Sequence, residues 1–266
     1  MRATQEIPDL TSLRLFDSCV TMGRIVHSGL PSLTSANILA MLDRYGIAEA
    51  LVHEHHARTV YPREHGNQRL LTEISGLERL HPVWVLEPPA QPGLAAARAA
   101  VSAMRSAGVR AARFPLNRAP LLAWLWEDLC AALEERRVPC FLDFGADSTR
   151  GSLRDDQANE LRNLALAHPR LPLILSHVMG GLGLHYAVVP LIRRVSNLYL
   201  DITGILEFWR TVAYEVGAER VLFATGAPFT DPGILVSNVQ YDARLTLPQK
   251  KLIAGDNLRR LLQSVQ

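Results

Sequence analysis

Short runs rich in Val, Leu and Ile alternate with longer stretches of helical period along the whole chain. "LRLFDSC" reads as a first strand. "SANILAMLDRYG" follows as a helix, with Ser35 as cap, Ile38, Leu39, Leu42 and Tyr45 on one face and Gly46 at its end. "IAEALVH", "PVWVL", "GVRAARF", "VPCFLDF", "LPLILSH", "NLYLDI" and "RVLFAT" are the next seven strands. The helices between them are expected from about Gln68 to Arg79, in the alanine-rich "GLAAARAAVSAM", in "LLAWLWEDLCAALEERR", from about Asp155 to Ala167, in "LHYAVVPLIRRV" and in "GILEFWRTVAYEVG". A last helix near "QKKLIAGDNLRRLL" closes the chain. Eight strand–helix units with no leftover segment predict one domain over 1–266, a closed (β/α)₈ barrel. An open doubly wound sheet is the alternative, but it calls for a glycine-rich phosphate loop, and no GxGxxG is present.

Composition narrows the function classes. The 266 residues carry 28 basic and 26 acidic side chains, so nothing argues for nucleic acid or an anionic membrane as partner. Cys19, Cys130 and Cys140 stand at no metal-knuckle or CxxC spacing and read as reduced thiols. "MRATQEIPDL" lacks the apolar core of a signal peptide, and no uncharged apolar run approaches the ~18 residues of a membrane span. A cytoplasmic protein acting on a small molecule is the expectation.

In a (β/α)₈ barrel, chemistry sits where strands run into the following loops. That rule selects Asp17, Cys19, His53, Glu54, His55, Glu87, Arg113, Asp143, His177, Asp201 and Thr225. Glu87, before "PP", reads as loop surface. Asp17 and Cys19 would share a strand face, as would His53 and His55. "LVHEHHART" is compatible with a binding cluster at the barrel mouth or with a polar loop; its spacing is not HExxH. Arg113 suits an anion clamp or a structural pair with Asp143 or Asp201. Asp201 suits orientation of His177 or structural pairing. Cys19 with His177 would make a nucleophile and base, or Cys19 is a small buried thiol.

These strand ends, with "RYGIAEALVH" before "GNQRLLTEI", "HPRLPLILSHVMGG", "ERVLFATGAPF" and "LIAGDNLRRLL", resemble the amidohydrolase superfamily over nearly the whole chain, in the branch of amidohydrolase-related hydrolases and decarboxylases. The resemblance implies a metal site whose first strand ends D-x-H-x-H-x-G. Here that run is "DSCVTMG", with Cys19 and Thr21 where the histidines stand. Asp143 replaces the fifth-strand histidine, His177 keeps the sixth, and Gly226 replaces the eighth-strand aspartate. A bound cation lowers the pKa of its water from 15.7 to about 7, which a general base alone does not match. The expectation is therefore no metal, with Cys19, Asp143 and His177 as the one alternative ligand set.

Taken together, these readings predict a divergent amidohydrolase-like enzyme, with no cofactor, that hydrolyses or decarboxylates a small organic acid, ester or lactone. Asp143 or His177 would be the general base. Asp17, Cys19, His53, His55, Arg113, Thr225 and Gly226 would line the substrate site, the last through an exposed N–H. A non-catalytic barrel that binds a small molecule or partner protein is the rival reading.

Overall fold

The structure is a computed structural model. It describes residues 7–25, 29–30, 32–60, 62–116, 118–145, 155–178, 182–205 and 208–266, with backbone alone at 155–156 and 182–186. Eight parallel strands are hydrogen-bonded in chain order: β1 Leu15–Met22, β2 Ile47–Glu54, β3 Leu80–Val85, β4 Ala111–Pro115, β5 Cys140–Asp143, β6 Leu173–Ser176, β7 Leu198–Asp201 and β8 Val221–Leu222. The barrel is closed by the segment just after β8. Ser18 N–H donates to Phe223 O at 3.0 Å, Gly226 N–H to Cys19 O at 3.0 Å and Thr21 N–H to Ala227 O at 2.8 Å. The fold is a single (β/α)₈ barrel.

Side-chain alternation explains what fills the interior. Phe16, Leu51, Val83, Ala111, Phe141, Ile174 and Leu222, drawn from seven strands, form one apolar layer, with Tyr199 of β7 packed on it. The helix Asn257–Gln263 brings Leu258, Leu261 and Leu262 up against that layer from below. Asn257 anchors it, donating through Nδ2 to Ala218 O and Val221 O, both at 2.9 Å. Two residues further along β2, β4, β5, β6 and β7, the same inward face carries His53, Arg113, Asp143, Ser176 and Asp201, all fully buried. A polar floor thus lies directly on an apolar plug.

The helix after β1, Ser35–Tyr45, buries Ile38 and Leu42 and ends at Gly46, whose φ of 66° needs glycine. Its cap is Thr34 rather than Ser35, because Thr34 and Asn37 form a reciprocal capping box. The helix after β2 runs Arg63–Glu73, opening after Pro62, earlier than the expected Gln68–Arg79. Beyond β7, the expected long helix is only Trp209–Thr211 followed by a π turn over Val212–Val216; Leu206 and Glu207 lie outside the described residues. β8 is shorter than "RVLFAT", and an unexpected helix, Pro232–Gln240, follows it, capped by Asp231 with Pro232 in its first turn. The closing helix is split into Leu247–Lys251, a π turn over Leu252–Asp256, and Asn257–Gln263. Residues 1–6 and 179–181, parts of the stretches quoted above, lie outside the described residues. Among the described residues no helix is long and apolar enough to cross a membrane.

Candidate active site

Asp143 is the centre of the polar floor. Its Oδ1 faces His177 Nδ1 at 2.8 Å and accepts the Gly145 N–H at 2.9 Å. Its Oδ2 accepts from Arg113 Nη1 at 3.0 Å and Arg58 Nη1 at 3.5 Å. Burial works against the charge on Asp143, but His177, Arg58 and Arg113 outweigh it and hold the carboxyl well below the usual range. A carboxylate this occupied has little basicity. Burial also opposes a charge on His177, yet Asp143 and then Cys19 raise its pKa to about 9. The imidazole is therefore an imidazolium at neutral pH.

His177 leaves β6 with φ of 53°, a left-handed conformation that is rare for a residue with a side chain. The Asp143 bond holds its ring there, and its other nitrogen, Nε2, faces Cys19 Sγ at 3.9 Å. Cys19 reaches it because the register of β1 shifts between Asp17 and Val20. That shift corrects the expectation that Asp17 and Cys19 share a strand face. Asp17 turns instead onto the seam, accepting from the Cys19 and Thr225 N–H groups and, at 2.5 Å, from the Thr225 hydroxyl. Burial raises Asp17 to about 7.

Arg113 shares its Nη1 between Asp143 and Ser176 Oγ, at 3.2 Å, and lies over the Phe141 ring. Its Nε and Nη2 have no hydrogen-bond partner among the described residues. His53 is bonded to Thr21 Oγ1 at 3.1 Å, and burial, then Arg113 and Arg58, hold its pKa well below normal, so it is neutral. Asp201 accepts the Thr203 N–H, and burial raises its pKa. The orienting acid of His177 is thus Asp143, not Asp201. The floor carries guanidinium charge from two arginines and the imidazolium against one firmly ionised carboxylate.

Three further expectations change. β2 ends at Glu54, so His55 opens the short helix His55–Thr59 and does not share a strand face with His53. Glu54 is buried, capping that helix and pairing with His56 and Arg69. Glu87 is partly buried and takes Arg63 Nε at 2.5 Å. The N–H of Gly226 is spent on Cys19 O and is not exposed to a ligand. Arg58, fully buried beside Asp143, was not singled out from the sequence, although it stands in the quoted "LVHEHHART".

The family model described as Amidohydrolase matches residues 36–263. The chain belongs to the amidohydrolase family. No curated protein sequence matches it. Among solved structures, this amidohydrolase is similar to an uncharacterised TIM-barrel protein from Bordetella bronchiseptica, with 15% identity, a TM-score of 0.73, and 94% and 98% of the two chains covered. It is similar to 5-carboxyvanillate decarboxylase from Sphingomonas paucimobilis, with 14% identity, a TM-score of 0.71, and 96% and 100% covered. A dihydroxybenzoic acid decarboxylase from Polaromonas, solved with bound manganese and an inhibitor, has 14% identity and a TM-score of 0.67, with 94% and 96% covered. At these identities the likeness is one of fold.

The donors of this amidohydrolase do not fit such a metal. Thr21 is bonded to His53, both nitrogens of His177 face side-chain partners, and Asp143 already faces three cationic groups. Gly226 brings no ligand. A Cβ there would sit 2.6 Å from Thr203 Cγ2, on a backbone with φ of 70°. Among the described residues no group of three or more His, Cys, Asp and Glu side chains could hold a metal ion.

Proposed function

We propose that this amidohydrolase is a metal-independent enzyme acting on a small carboxylate, and that decarboxylation is the reaction its site suits best. One observation carries the reading: His177 is fixed by Asp143 as an imidazolium beside two buried arginines. Direct attack by water asks for a resting base, and neither Asp143 nor His177 is basic in the resting state. Decarboxylation asks for an acid at the carbon that loses its carboxylate, and His177 Nε2–H is one.

Arg113, through Nε and Nη2, binds the substrate carboxylate, and the charge of Arg58 adds to the attraction. His177 transfers its proton to the substituted carbon. The bond to the carboxylate carbon then breaks, its electron pair returns to the substrate, and carbon dioxide leaves. Water restores the proton to His177. The arginines supply the positive charge that a metal supplies elsewhere. The decarboxylases among the fold neighbours support this choice of reaction.

The test is release of carbon dioxide from 5-carboxyvanillate and a panel of dihydroxybenzoates, with chelator present. Turnover that survives chelator, is lost in His177→Asn and falls as pH rises through about 9 is the expected result. Turnover that needs added manganese would overturn the metal-independent reading. Carboxylates that bind without any turnover would make this a non-catalytic binding barrel.

A further inference from the structure

Three cysteines are buried, but their surroundings differ. Burial pushes the thiols of Cys130 and Cys140 far up, and no cation offsets it at Cys130. Cys19 instead faces a charged imidazole. The chain of contacts runs Cys19 Sγ to His177 Nε2, 3.9 Å, and His177 Nδ1 to Asp143 Oδ1, 2.8 Å. This is the order of nucleophile, base and orienting acid in thiol and serine hydrolases. Beyond it, Asp143 is itself fixed by Arg113 and Arg58, so the acid cannot swing away.

A second observation concerns the space beside the sulfur. Gly226 and Cys19 are held side by side by the Gly226 N–H bond to Cys19 O. A Cβ built on Gly226 would lie 3.9 Å from His177 Nε2, the nitrogen that faces Cys19. With glycine there, the space beside both reacting atoms is bordered by backbone and by the Thr203 methyl, which lies 2.6 Å from where a Cβ would stand. Thr203, whose methyl borders that space, has a hydroxyl with no hydrogen-bond partner among the described residues. A third observation concerns charge: Nε and Nη2 of Arg113 are buried without a hydrogen-bond partner among the described residues, so a ligand that brings a carboxylate would complete them.

We propose that Cys19 is a nucleophile, and that Cys19, His177 and Asp143 form a triad that hydrolyses a small ester or lactone carrying a free carboxylate. In the first half, Cys19 Sγ as thiolate attacks the acyl carbon. The C–S bond forms and the C–O bond to the alkoxide breaks. The alkoxide takes the proton from His177 Nε2 and leaves as alcohol, or stays tethered if the substrate is a lactone. In the second half, neutral His177 takes a proton from water. The water oxygen bonds to the acyl carbon, the C–S electron pair returns to Cys19, and the acid leaves. His177 recovers its proton and Cys19 its free sulfur, as at the start.

This inference shares His177 with the proposed decarboxylation but does not rest on it. Carbon dioxide release reads the one and sulfur chemistry reads the other, so either can fail alone. The probe is iodoacetate, with neutral iodoacetamide for comparison, on the native protein at pH 7, followed by peptide mapping. Cys19 should be carboxymethylated while Cys130 and Cys140 stay unlabelled, and iodoacetate should outpace iodoacetamide. An ordinary thiol is only about 3% ionised at pH 7, and a paired thiolate is a somewhat weaker nucleophile, so His177→Asn should slow labelling about tenfold. If that variant does not fold, the wild-type pH profile decides. A paired thiolate keeps its rate from about pH 8 down to about pH 6, whereas an unpaired thiol loses about tenfold per pH unit below its pKa. Incubation with 4-nitrophenyl acetate or mono-4-nitrophenyl glutarate should give one acyl thioester per chain, on Cys19, absent in Cys19→Ala. A native protein that leaves Cys19 unlabelled, or labels it with the profile of an ordinary thiol, would overturn the proposal.

Discussion

Replacing Asp143 with Asn tests the electrostatic heart of the site. In the folded protein His177 titrates at about 9 against an ordinary 6.5, a preference for the charged ring worth about 3 kcal/mol. Burial opposes that charge, so the pull of Asp143 must exceed the net figure. The Asn variant loses the larger pull and keeps burial, which opposes the charge, against only the smaller pull of Cys19. The pKa of His177 should then fall well below its wild-type value, toward a neutral ring at pH 7. Two-dimensional imidazole nitrogen NMR across pH 5 to 10 reads this directly. Stability provides a second readout. Because the folded pKa of His177 is raised, its stabilisation is complete below about 6.5 and is lost as pH rises through about 9. The wild-type melting temperature should fall over that window, and the slope should vanish in Asp143→Asn. The variant also leaves two arginines without their carboxylate, a loss of about 3–5 kcal/mol. If it does not fold, the wild-type slope carries the test. A His177 still protonated at pH 8 in the folded variant would refute the reasoning.

Gly226→Asp, the change that restores the family's eighth-strand acid, should lower stability by about 1–3 kcal/mol and gain no metal-dependent turnover; its Cβ meets Thr203 at 2.6 Å on a backbone with φ of 70°, and thermal unfolding checks it. Asp17, raised to about 7, keeps a proton in the fold that the unfolded chain loses near 4. Stability should therefore decline as pH rises across that interval, and Asp17→Asn, which mimics the neutral acid, should flatten the decline in urea titrations. Protein purified without chelator should carry far less than one Mn or Zn per chain by elemental analysis, and a stoichiometric ion would refute the donor argument. Asn257→Ala leaves two buried carbonyls without their donor and should cost about 1–3 kcal/mol by chemical denaturation.

The barrel was legible because every inner strand is a short apolar run set off by helical periods, and those periods survive in a single sequence. The helix from Asp155 to Ala167 fell where its pattern put it. Pro232–Gln240 did not, though Asp231 before Pro232 is a helix-opening signal in plain view. Arg113, Asp143 and His177 were legible as strand-end polar residues, because such side chains in a barrel must meet one another or a ligand. Arg58 was not, because it belongs to a one-turn helix past β2, and burial there depends on where that turn folds back. The fate of the Gly226 N–H depends on the register between β1 and the end of β8, which no local pattern encodes.

The helix that plugs the barrel gives the molecule the shape of a cup with a sealed base. Leu258, Leu261 and Leu262 occupy the bottom, so traffic is confined to the rim, and whatever enters must leave by the same door. A product with a free carboxylate would depart against the attraction of Arg113 and Arg58, whereas carbon dioxide, uncharged and small, escapes without that drag. Ending the chain before Asn257 would remove the base and let water rise to the polar floor from beneath. The last turns of this protein thus help to keep the polar floor dry while contributing no group to it.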